Sequence, residues 1–102
     1  MRKRRQYHAR IAATLAETPA TAESQPEVVA HHYTEGELFE DAVRWWHQAS
    51  VYAISRSANP EATGHLHRAL AILNELPRTE ERVRIHHELE DLLAPFVTDD
   101  EW

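Results

Sequence analysis

The chain contains no cysteine, which removes disulfides, thiolate metal sites and thiol redox chemistry and makes the cytoplasm the expected compartment. It has only two glycines, Gly36 and Gly64, and a single lysine, Lys3. A phosphate-cradling loop needs clustered glycines and a lysine at the start of a helix, so ATP binding by a P-loop is excluded. The available serines, Ser24, Ser50, Ser55 and Ser57, stand in no nucleophile-elbow context, and no enzymatic activity, catalytic residue or cofactor is expected. No apolar run approaches membrane-spanning length, so no membrane partner is expected. The start, "MRKRRQYHARIAATLAE", is basic like a signal peptide, but Gln6, His8, Arg10 and Glu17 interrupt what would have to be an apolar stretch. Residues 1–16 are acid-free and amphipathic and would also suit an organelle-targeting helix, although a first helix of the fold is the preferred reading.

What remains is rich in alanine, glutamate, arginine and leucine, which favours helices joined by short connections over strands. At 102 residues the chain is one domain with a modest core, read as all-α over residues 1–102. The formal charge of −6 hides an asymmetry, because five of the eleven basic residues lie within residues 1–10. The acidic body would repel nucleic acid, which leaves the basic tip, residues 2–10, as the remote alternative for binding it.

Tyr7, Ile11 and Leu15 recur every four residues and predict a first helix over 5–17, which "TPATAESQ" then breaks. Ser24 with Glu27 is a capping-box pattern, Pro26 suits a first turn and Gly36 an exit, giving a second helix over 26–35. The third helix, 38–57, carries adjacent tryptophans in "DAVRWWHQAS", and neighbours on a helix point about 100° apart. Phe39, Ala42, Trp46, Ala49 and Ala53 form one stripe, with Trp45 and Tyr52 on one flank and Val43 and Ile54 on the other. An apolar face that wide needs neighbours on two sides: Trp46 is central, and Trp45 turns toward a second neighbour or a groove. Val51 is the one misfit. Asn59 as N-cap and Pro60 open a fourth helix over 59–76, and a fifth spans 79–94 before Pro95, leaving 95–102 as a frayed tail with an unexplained Trp102.

"DAVRWWHQA" and "EATGHLHRA" share one pattern, so that Ala42, Trp46 and Ala49 match Ala62, Leu66 and Ala69 twenty residues on. Small residues flanking a large one let a second helix approach closely. The chain here resembles a tetratricopeptide (TPR) repeat, with Val29 and Ala30 in the place of its Leu-Gly, Tyr33 of its Tyr, and Ala42, Trp46 and Ala49 of its Ala, Phe and Ala. Residues 23–56 make one repeat that departs at Pro26, in the place of the first aromatic, and at Ile54, in the place of the closing proline. Over residues 4–94, most specifically in "HHYTEG" and in "RSAN" followed by "EA", the chain is similar to the helical region after the nucleotide-binding domain of bacterial signalling ATPases. Those ATPases are often joined to an adenylate or guanylate cyclase or to a DNA-binding regulator. The resemblance implies a TPR-like right-handed stack of about five antiparallel helices, acting as a non-catalytic interaction or regulatory module. It supplies no functional residues, and the lone Met1 leaves open a free-standing protein or a piece of a longer one.

As the contact edge for a protein partner or a neighbouring domain we single out Arg44, Trp45, Gln48 and Tyr52, because tryptophan, tyrosine and arginine dominate binding energy at grooves. The competing reading is that Trp45 and Tyr52 pack against the first or fifth helix. A free-standing adaptor, or a homodimer that buries the open end of an uncapped stack, is the alternative. His31 with Glu27 and Glu35, His86 with Glu90 and His87 with Asp91 are i,i+4 pairs, each at most half a metal site, and no metal is expected. His32 is placed for an interhelical hydrogen bond. Protonating all eight histidines would move the charge from −6 to +2, enough to weaken contacts made by acidic faces.

Overall fold

The computed structural model describes residues 2–96, and every regular element in that span is helical. Helix α1 is Arg2–Ala16, α2 Pro19–Ser24, α3 Pro26–Glu35, α4 Phe39–Ser55, α5 Asn59–Asn74 and α6 Glu80–Leu93, followed by a 3₁₀ turn, Ala94–Phe96. Each long helix packs mainly on the next, α1 on α3, α3 on α4, α4 on α5 and α5 on α6, while α2 bridges α1 and α3. The α4–α5 pair is the most intimate and the α5–α6 pair the loosest. Helices added in sequence make a body of 48 × 32 × 22 Å, longer in one direction than a sphere of the same mass.

The turns repeat. After α3, Leu38 N–H donates to Tyr33 O at 3.0 Å and Glu37 N–H to Thr34 O at 3.0 Å; after α4, Ala58 N–H donates to Ala53 O at 2.8 Å and Ser57 N–H to Ile54 O at 3.0 Å. Both are Schellman closures, with Glu37 and Ser57 left-handed at φ 60°. Glu37 and Ser57 are twenty residues apart, the interval of the alanine pattern, so sequence repeat and turn repeat coincide. Three-residue links of this kind fold each helix back on its predecessor.

One core runs through the stack: Ala12 from α1, Val29, Ala30 and Tyr33 from α3, Ala42, Val43, Trp46 and Ala49 from α4, Leu66, Ala69 and Leu73 from α5 and Leu89 from α6. All nine residues of the two matching patterns, Val29, Ala30, Tyr33, Ala42, Trp46, Ala49, Ala62, Leu66 and Ala69, are buried, as is Pro26 where an aromatic would stand. The alanines bring backbones together and Leu66 fills the space between them, so Leu66→Ala is expected to cost about 2–5 kcal/mol. Ser50, buried among these residues, satisfies itself by donating to His47 O at 2.6 Å.

Several boundaries differ from the sequence reading. The supposed break after α1 holds a helix, α2, which buries none of its residues and so has no apolar period to betray it. Ser24 forms no capping box: it ends α2 with its hydroxyl donating to Ala20 O, and Gln25 is the N-cap of α3. Asn59 is the first helical residue of α5, with Ala58 as N-cap, and α5 stops at Asn74 rather than Leu76. Phe39 opens α4 exposed, so the buried stripe starts at Ala42, and Val51 is exposed as its misfit position requires. Of the tail, Pro95 and Phe96 lie in the 3₁₀ turn, while residues 97–102, including Trp102, fall outside the described residues.

Candidate interaction clefts

A cleft of about 390 Å³ opens between α4 and α6, where α6 packs on α5 less closely than the other long helices pack on their predecessors. Its apolar floor comes from Val43, Leu73, Leu76 and Ile85, and its rim from Glu40, Arg44 and His47 on one side and Glu81, Arg84 and Glu88 on the other. An apolar floor with a polar rim is the usual composition of a binding site. Much of the rim charge is already matched: Arg44 donates to Asp41 at 2.6 Å, and Arg84 lies 3.7 Å from Glu81. Arg82 closes the far end. Its Nε donates to Leu73 O at 2.8 Å and its Nη2 to Asn74 Oδ1 at 3.3 Å, capping the last turn of α5, while its backbone N–H donates to the N-cap Thr79 Oγ1 at 3.1 Å. One residue thus ties the start of α6 to the end of α5 and sets the mouth of the cleft.

A second, shallower groove runs between α3 and α5 across Trp46. The indole N–H donates to Thr34 Oγ1 at 2.9 Å, the His65 ring lies 5.3 Å away and the Arg68 guanidinium sits 5.0 Å above the ring. Arg68 there makes a cation–π contact and lids the indole, which is only 3% exposed. Burial pushes the His65 pKa down and the Arg68 charge adds to this, against the opposing pull of Glu27 and Glu61.

The four residues of the expected edge divide. Trp45 is half-buried against the core cluster, and Tyr52 is half-buried with its hydroxyl accepting from Arg56 Nη1 at 2.9 Å. Gln48 is exposed on the same flank of α4, while Arg44 turns to the α4–α6 cleft. The cleft floor escaped sequence reading because the apolar positions of α5 and α6 also serve the core: Leu73 is almost fully buried, and Leu76 and Ile85 are half-buried.

Of the eight histidines, His31, His67 and His87 are exposed and the other five are half-buried, with His86 reaching Glu90 at 3.5 Å. No group of three or more potential metal ligands converges among the described residues. His32 does make an interhelical bond, to His8. At the basic tip Arg5 is held by Glu37 at 3.0 Å, while Lys3, Arg4 and Arg10 surround an exposed Tyr7. No described helix is long and apolar enough to cross a membrane. No family model, curated protein or solved structure matches this chain.

Proposed function

We propose that this chain is a non-catalytic, TPR-like docking module that receives an apolar anchor of a protein partner in the cleft between α4 and α6. The observation that carries the reading is the cleft itself, an apolar floor of Val43, Leu73, Leu76 and Ile85 inside a rim whose arginines are already paired. The pairing of Arg44 with Asp41 and of Arg84 with Glu81 lowers the cost of covering the floor, because an approaching apolar group strands neither arginine. The repeated Schellman turns and the burial of all nine motif positions support the TPR-like part of the proposal. The resemblance to the helical region of bacterial signalling ATPases makes a neighbouring domain of such a protein the first partner to test, with the cytoplasm as the setting.

The test is to read the open frame around this chain, express any neighbouring domain separately and titrate it against the chain and against Arg44→Glu and Ile85→Ala variants whose helicity is checked by circular dichroism. A nucleotide-binding domain that binds the wild type and loses about tenfold or more in affinity to either variant supports the proposal. A frame without such a domain removes the signalling-ATPase assignment, and binding indifferent to both variants removes the cleft.

A further inference from the structure

His8 on α1 and His32 on α3 meet Nδ1 to Nδ1 at 2.8 Å, with ring centroids 5.0 Å apart and planes inclined by 30°. Two imidazoles joined nitrogen to nitrogen at that distance have their centroids about a ring radius further out at each end, so both nitrogens lie close to the line of centroids. The rings therefore meet edge to edge and aim their Nδ1 positions at each other. One ring carries the proton on Nδ1 and donates it; the other accepts on a bare Nδ1 and keeps its own proton on Nε2. A zinc ion needs about 2.0–2.1 Å to each nitrogen and would have to sit off this line, away from both lone pairs. His31 turns its ring edge-on to both, at 6.3 Å from His8 and 5.5 Å from His32, and completes no ligand set. The geometry is that of a bridging proton.

We propose that the His8–His32 pair is a proton-counting latch that docks α1 on α3 while the pair holds at most one extra proton and releases α1 when it takes a second. The first added proton goes to the free Nε2 of the donor ring and leaves the Nδ1–H···Nδ1 bond in place. The second has only the accepting Nδ1 left to occupy. It destroys the hydrogen bond and sets two cations edge to edge, the situation in which two coupled sites titrate in separate steps.

The surroundings favour release over accommodation. The groups acting on His32 are His8 from α1 and His31 and Glu35 from α3, and α2 and α4 add none of these. On α1, Arg4 and Arg5 lie one turn from His8; Arg5 is engaged by Glu37 and Arg4 is exposed. Burial first, then His8 and His31, hold the His32 pKa below its ordinary 6.5 against the opposing Glu35, so the latch is closed near neutrality and opens on acidification. Besides the latch, α1 is held by buried Ala12, by half-buried Leu15 and Ala16, by the close crossing of Ala9 at Gly36 and by the exposed Arg5–Glu37 pair.

The test is amide hydrogen exchange on the full chain, corrected for intrinsic rates, at about pH 7.5 and about pH 5. Protection of the α1 amides should fall by about tenfold or more relative to α5 in the wild type, and the loss should vanish in His8→Gln, where no second imidazole is present. An unchanged α1-to-α5 ratio, or a loss retained in His8→Gln, overturns the proposal. Ring ¹⁵N shifts of the wild type supply a readout that needs no variant. The latch requires one Nδ1–H and one Nε2–H tautomer near neutrality, with two separated titration steps and α1 released on the second. Two identical tautomers titrating independently overturn it.

Discussion

Two glycines in one chain carry opposite predictions. At Gly36 the backbone is ordinary, φ −80°, but an added Cβ would lie 3.0 Å from Ala9 N and 3.1 Å from its Cα, so the residue is glycine because α1 crosses there. Gly36→Ala is expected to cost about 1–3 kcal/mol, since backbone must move. At Gly64 nothing lies within 4 Å of an added Cβ, and Gly64→Ala is expected to stabilise by about 0.5–1 kcal/mol. Chemical denaturation of the two variants checks both signs. The histidines add a pH prediction. His65 and His32 both have pKa values lowered in the fold, so the unfolded chain binds the extra protons. Their contribution to stability is complete above the ordinary value of 6.5 and is lost as pH falls through the depressed folded values. The melting temperature should therefore drop between about pH 7.5 and about pH 5, and His65→Gln should flatten part of that slope, leaving the His32 part. Gly36 ends α3 as its place in the sequence suggests, but the close approach of Ala9, twenty-seven positions away, was not readable from residue identity.

At the level of the helices, α4 answers why two tryptophans stand side by side. Trp46 is enclosed by Thr34, His65 and Arg68, and Trp45 covers the core from the adjoining flank, so the helix is packed from α3 and from α5 at once. That double packing was legible because the apolar stripe of α4 is wide and its period unbroken. The turns were not legible, because a left-handed position is advertised only by glycine, and here Glu37 and Ser57 occupy it. A non-glycine residue in that conformation is strained by about 1 kcal/mol or more, so Ser57→Gly is expected to stabilise by about 0.5–1 kcal/mol by denaturation. Glu37→Gly should gain less, since it also gives up the Arg5 ion pair. Arg82→Ala should cost about 1 kcal/mol and raise hydrogen exchange in α6 before α5, because it removes the side-chain bonds that cap α5 and leave α6 in place.

For the molecule as a whole, the order of packing follows the order of the sequence, which is why the alanine pattern foretold which helices are intimate. It did not foretell the looser packing of α6, beside which the cleft lies. The exposed residues at the two ends of the stack are mainly polar: Lys3, Gln6 and Arg10 around an exposed Tyr7 on α1, and Glu80, His87 and Asp91 on α6. The docking proposed above uses the side of the stack and not its ends. The most direct test is to select binders to the chain from a random-peptide library and map them by amide chemical-shift changes. Docking in the cleft predicts peptides with an apolar anchor whose shifts centre on Val43, His47, Leu76 and Ile85. Failure to enrich any binder over an unrelated helical protein, or shifts centred on the outer face of α1, would contradict it.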